Sequence, residues 1–202
     1  MNTKYSFEGI VNNIEAFYLQ HKPAPSDWYV QAHSDVQKLA NCHGISLKVA
    51  AAVVAVLSPR VKWAAADTNP NLDAANNLIR GFRHKKHGKG IIFSMVAGFH
   101  ANKEKAWKIL RTGDITYCSG PKVSAFCHNL IDPYDDTYVT IDSWMTCIAF
   151  NLDLAQNKVN VAPTPKQQEQ IVEALKVVAY SYDFMNALQF QASLWESAQK
   201  SI

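Results

Sequence analysis

Apolar positions along the chain recur mostly at helical spacing. Behind Ser6, a good N-cap, Phe7, Ile10, Val11, Ile14, Phe17 and Tyr18 predict a first helix that Pro23 and Pro25 close. Ser26-Asp27 opens a second helix, ending near His43-Gly44. Ser46 caps a third that runs to Leu57. Its stretch 49–57 is apolar all round, which predicts a central helix, and Pro59 stops it. After a break at Asn69-Pro70-Asn71, Leu72, Ala75, Leu78 and Ile79 give the face of a fourth. Ala106, Trp107 and Leu110 mark a helix over 102–110, with Thr112-Gly113-Asp114 as its exit. Gly120-Pro121 is a tight turn with proline at the first helical position. Val123, Phe126, Cys127 and Leu130 share that helix's face, and Asp132-Pro133 ends it.

Val139 and Ile141 form an extended lead to Asp142, which opens a helix carrying Met145, Ile148 and Ala149 inward. Thr164-Pro165-Lys166-Gln167 is a capping box. Its helix buries Ile171, Val172, Leu175, Val178 and Ala179. After a break at 180–183, a last helix carries Met185, Leu188, Leu194 and Trp195. The pattern gives about nine helices and no β alternation, so the expected fold class is all-α.

Composition narrows the picture. The 202 residues, 48% hydrophobic and 11% aromatic, are enough for one domain or two small lobes with a packed core. A net charge of +3 permits nucleic-acid binding without arguing for it. No stretch approaches the roughly 20 apolar residues of a membrane span, and no apolar run follows the N-terminus as in a signal peptide. The expectation is a cytoplasmic or nucleoid-associated protein with no membrane partner. Cys42, Cys118, Cys127 and Cys147 include no Cys-x-x-Cys pair, which predicts buried free thiols and no metal site. The basic run 80–90 reads as a loop. It is either a solvated surface or a phosphate contact through Lys85, Lys86 and Lys89.

Two residues are chemically suggestive. Lys122 sits in the first turn of its helix, where the positive end of the helix dipole disfavours an ammonium, as partial burial would. A lysine needs such a push to act as a neutral nucleophile. Asp142, at the mouth of another helix, follows 20 positions later. Each also has an ordinary reading, a solvated lysine and an N-cap.

Gly120-Pro121-Lys122-Val123-Ser124-Ala125, followed by Val139-Thr140-Ile141-Asp142, resembles the helix-hairpin-helix DNA glycosylases of the endonuclease III and 8-oxoguanine DNA glycosylase branch. A second match, Val54-Ala55-Val56-Leu57-Ser58-Pro59-Arg60, is similar to the family helix that ends in a Leu-Ser-x-Gln turn. Only the last glycine of the family's Leu-Pro-Gly-Val-Gly hairpin is kept, over Thr116, Tyr117, Cys118, Ser119 and Gly120. Ser143-Trp144 stands where Thr-His is common.

The resemblance implies a two-lobed helical fold with a cleft between lobes. Residues 46–134 would form a central bundle with the hairpin, and 1–45 plus 135–202 a second lobe. It implies a glycosylase with abasic-site lyase activity, in which Lys122 forms a Schiff base and Asp142 assists loss of the base. Ser58, Arg60, Ser119 and Gly120 would contact DNA, with Arg60 entering the stack. Trp63, Asn69 and Trp144 would line the substrate pocket. The partner is duplex DNA with a flipped base, the protein a monomer, and no cofactor is needed beyond a monovalent cation at the hairpin. A base-modifying enzyme on the same scaffold and a non-catalytic DNA-binding protein are the alternatives.

Overall fold

A computed structural model describes residues 5–59, 61, 63, 69–84, 88–155 and 162–201. Among the described residues there are ten α-helices and no strand. They are α1 (Phe7–His21), α2 (Trp28–His43), α3 (Leu47–Leu57), α4 (Pro70–His84), α5 (Lys89–Ser94), α6 (His100–Thr112), α7 (Pro121–Ile131), α8 (Ser143–Ala149), α9 (Pro165–Ser181) and α10 (Ala187–Lys200). A short 3₁₀ turn, Ile115–Tyr117, precedes α7.

The helix starts follow from their caps. Ser6 Oγ accepts from the Gly9 N–H at 3.1 Å, and Ser46 Oγ from the Val49 N–H at 3.3 Å. At α9 the capping box is complete: Thr164 Oγ1 accepts from the Gln167 N–H, and Gln167 Oε1 from the Thr164 N–H. Thr164→Ala removes one side of this exchange. A loss of about 1 kcal/mol is expected, lowering the melting temperature by roughly 2–4 °C for a chain of this size. An unchanged melting temperature would mean that packing alone fixes the start of α9.

The contacts divide the chain into two compact units, 31–133 and 1–30 with 134–202, so the first division falls within α2. In the unit 31–133, α3 packs on α4, α6 and α7. Every residue of α3 from Ala50 to Leu57 is buried, as its all-round apolar pattern requires. In the other unit α1 packs on α9 and α8, and α10 on α8 and α9. Ile10, Ile14, Ile171, Leu175, Leu188 and Phe190 are fully buried there.

Three expectations are corrected. The basic run 80–90 is not one loop. Arg80 to His84 complete α4, and Lys89 and Gly90 begin α5. Gly81 stays helical because it lets α5 come close: a Cβ there would lie 2.7 Å from Ile92 Cγ2. Met185 lies before α10 and is exposed. Cys42 is exposed, whereas Cys118, Cys127 and Cys147 are buried.

Candidate functional site

Asp142 is built into its unit more firmly than an ordinary surface carboxylate. It has extended backbone and caps α8, its Oδ1 accepting from the Met145 N–H at 3.0 Å. Its Oδ2 accepts from Trp195 Nε1–H of α10 at 3.1 Å. The Thr146 hydroxyl bonds to the Asp142 carbonyl at 2.8 Å. Both carboxylate oxygens therefore meet N–H donors on helices, and the side chain is half-buried. Such donors favour the ionised form by direct hydrogen bonding.

A buried polar layer surrounds it. Tyr29 is buried, and its hydroxyl donates to Gln191 Oε1 at 2.8 Å. Burial pushes its phenol well above the ordinary range; a hydrogen bond with Thr140 opposes this and the charge of Asp142 adds to it. The Cys147 thiol is also held above its usual range, by burial first and by Asp142 second. Trp144 is half-buried in the first turn of α8.

The unit 31–133 holds the other expected residues. Gly120 has φ +96°, a conformation that suits glycine, and turns the chain into Pro121 at the start of α7. Lys122 is exposed on that first turn, so the partial burial considered from the sequence is absent. Ser119 Oγ accepts from Lys105 Nζ at 2.9 Å. Beside this turn lies a cavity of about 370 Å³, lined in part by Cys118, Ser119, Gly120, Ser124, Cys127 and His128. Contact with the Cys127 thiol, and then burial, hold the Cys118 thiol far above its usual range, which makes it a poor nucleophile.

Trp63 packs edge-on against Phe126 of α7, with ring centroids 6.0 Å apart. Asn69 caps α4, its Oδ1 accepting from the Asn71 and Leu72 N–H groups at 3.1 and 3.4 Å. Ser58 caps the end of α3, its hydroxyl donating to the Ala55 carbonyl at 2.8 Å. Lys89 pairs with Glu104 at 2.6 Å and lies over the Phe93 and Trp107 rings. Arg60, Lys85 and Lys86 lie outside the described residues. Lys122 and Asp142 belong to different compact units.

Three further residues carry chemistry that the sequence pattern did not single out. Trp195 counted only as an apolar position of the last helix. Asn71 is buried with no hydrogen-bond partner for its Oδ1 among the described residues, a situation that buried acceptors rarely tolerate. Phe99 is 48% exposed directly after Gly98, whose Cβ position would be 3.5 Å from the Leu57 carbonyl oxygen. The backbone at Gly98 thus comes close to the end of α3, and Phe99 is the N-cap residue of α6.

Fold and site together define an all-helical protein, among its described residues, with a rigidly held carboxylate in one unit and an exposed helix-start lysine in the other. The chain belongs to DUF7178, a family of unknown function, whose sequence model matches residues 2–201. No curated protein and no solved structure matches it. No single helix among the described residues is long and apolar enough to cross a membrane.

Proposed function

We propose that this chain is a DNA glycosylase with associated abasic-site lyase activity, on a two-lobed helix-hairpin-helix scaffold. The observation that supports the reading most is Asp142. At the position that the resemblance assigns to base expulsion stands a carboxylate with both oxygens held by N–H donors. A charge fixed in this way stabilises positive charge developing on a sugar without reorganising during the reaction.

The chemistry runs as follows. The target base leaves the stack, at a cost of a few kcal/mol. The bond from C1′ to the base nitrogen lengthens, and the ionised Asp142 stabilises the cationic sugar. The Lys122 ammonium gives up a proton to solvent, and the amine bonds to C1′ while the base departs with the electron pair of the broken bond. Loss of the amine proton and opening of the sugar ring give an imine. Removal of a C2′ proton and departure of the 3′-phosphate then nick the strand. By the resemblance Ser58, Arg60, Ser119 and Gly120 contact the duplex left behind, and Trp63 and Trp144 the flipped base.

A base-modifying enzyme on the same scaffold is the second reading. The cavity beside Ser119 and Gly120 favours it, because group transfer to a base needs room for a small second substrate. The test is a panel of duplexes carrying different damaged or hypermodified bases, incubated with the full chain. Release of a free base and a nicked strand is the expected result. An altered base with no abasic product supports the second reading. DNA binding that is indifferent to Lys122→Ala and Asp142→Asn, with no chemistry, supports a non-catalytic binding protein.

Binding to duplex DNA is expected to weaken with salt through counterion release. Replacing Lys85, Lys86 and Lys89 with alanine should flatten the slope of log affinity against log salt by about 2 rather than about 3, because Lys89 is already paired with Glu104. An unchanged slope would make this stretch a solvated surface.

A further inference from the structure

We infer that Trp195 is a positioning residue for the Asp142 carboxylate, an inference that rests on the excision reading above. Asp142 has two oxygens with different tasks. Oδ1 is committed to the backbone of α8, where any good cap would serve. Oδ2 accepts from a side-chain donor, Trp195 Nε1, on a helix 53 residues further along the chain. An indole N–H can only donate, so the bond has one polarity: it holds an acceptor in place. It fixes the torsion of the carboxylate about its Cβ–Cγ bond, which the capping bond alone leaves looser.

The indole is itself fixed. Trp28 packs edge-on against Trp195 with ring centroids 5.4 Å apart, and against Tyr29 at 4.9 Å. Tyr29 is tied in turn to Gln191, one helical turn before Trp195 on α10. On the same helix the Ser193 hydroxyl accepts from the Ser26 N–H at 2.9 Å, which holds the start of α2 to α10. The donor thus reaches Asp142 from a braced ring rather than a mobile side chain.

The test uses the full chain as wild type, Trp195→Phe, Asp142→Asn and the double variant. Phenylalanine keeps an aromatic ring and removes the donor. The first readout needs no substrate. In a ¹H–¹⁵N spectrum the Trp195 indole resonance, assigned by its loss in Trp195→Phe, should shift in Asp142→Asn more than the other indole resonances. The second is single-turnover excision on the duplex of the panel that wild type cleaves best. Trp195→Phe should slow it on the order of tenfold with DNA affinity unchanged, the scale of one hydrogen bond to a charged group. In the Asp142→Asn background the same change should have little further effect.

An indole resonance unmoved by Asp142→Asn would overturn the inference. So would an unimpaired excision rate in Trp195→Phe where Asp142→Asn is inactive, since Trp195 would then be a packing residue. If wild type excises nothing, or Asp142→Asn excises fully, the excision reading falls and this one with it. Those outcomes are distinct from a failure of Trp195 alone.

Discussion

Asp142→Asn is expected to reduce base excision by about 10²–10³, the scale for removing one preorganised electrostatic stabiliser. On the proposed mechanism the loss should fall on the rate of the chemical step, because there the carboxylate would act on charge that develops as the base leaves. An abasic site has no base to expel, so its cleavage should suffer less. The variant stays folded but not at full stability. Asparagine keeps one acceptor oxygen, and both Met145 N–H and Trp195 Nε1–H require an acceptor. If Oδ1 keeps the cap, the new amide group faces an indole donor. One part-buried hydrogen bond to a charged group is lost, worth about 1–3 kcal/mol. Excision rate, abasic cleavage and thermal unfolding measured together separate the effects. Full excision at wild-type rate would leave Asp142 as a helix cap alone.

The helices were largely legible because their ends are written locally. Ser6, Ser46, Asp142 and Thr164 each bond to a backbone N–H three residues on, and three residues is within the reach of any sequence window. α3 was legible for another reason: an apolar run too short to cross a membrane is stable in the middle of a core. α5 was not legible. It has six residues, its cap Gly88 makes no side-chain bond, and it follows a basic run with three glycines nearby. Its signal lies in Gly81, which reads as a break along the sequence but as a contact surface once Ile92 is packed against it.

The same contrast holds at the site. Asp142 as a cap follows from residues 142–145 alone. Its second bond, to Trp195, joins helices far apart in the chain, and nothing in the pattern of α10 distinguishes an indole that packs from one that donates. Asn69 shows the reverse. The resemblance implies a pocket residue there, and the side chain caps α4, a local role that its position before Pro70 allows. The sequence marks Asn71 only as part of the break at 69–71. Its burial comes from packing around α4 that no local spacing reveals.

Lys122→Ala is expected to abolish the covalent step. If Lys122 forms the imine, borohydride reduction should trap a protein–DNA adduct on a duplex with an abasic site, and the alanine variant should not form it. The substitution should leave the fold intact, since Lys122 is exposed on the first turn of α7 and the helix start is set by Gly120 and Pro121. DNA binding should fall only by the loss of one cation, seen as a change of about 0.9 in the slope of log affinity against log salt. Loss of the adduct with unfolding unchanged and binding nearly kept assigns the covalent bond to this amine. Lys105, bonded to Ser119 just before α7, is an internal control: Lys105→Ala should still form the adduct. An adduct that survives Lys122→Ala and maps by mass spectrometry to Lys105 or another amine would remove Lys122 from the mechanism, and with it the lysine-based lyase step.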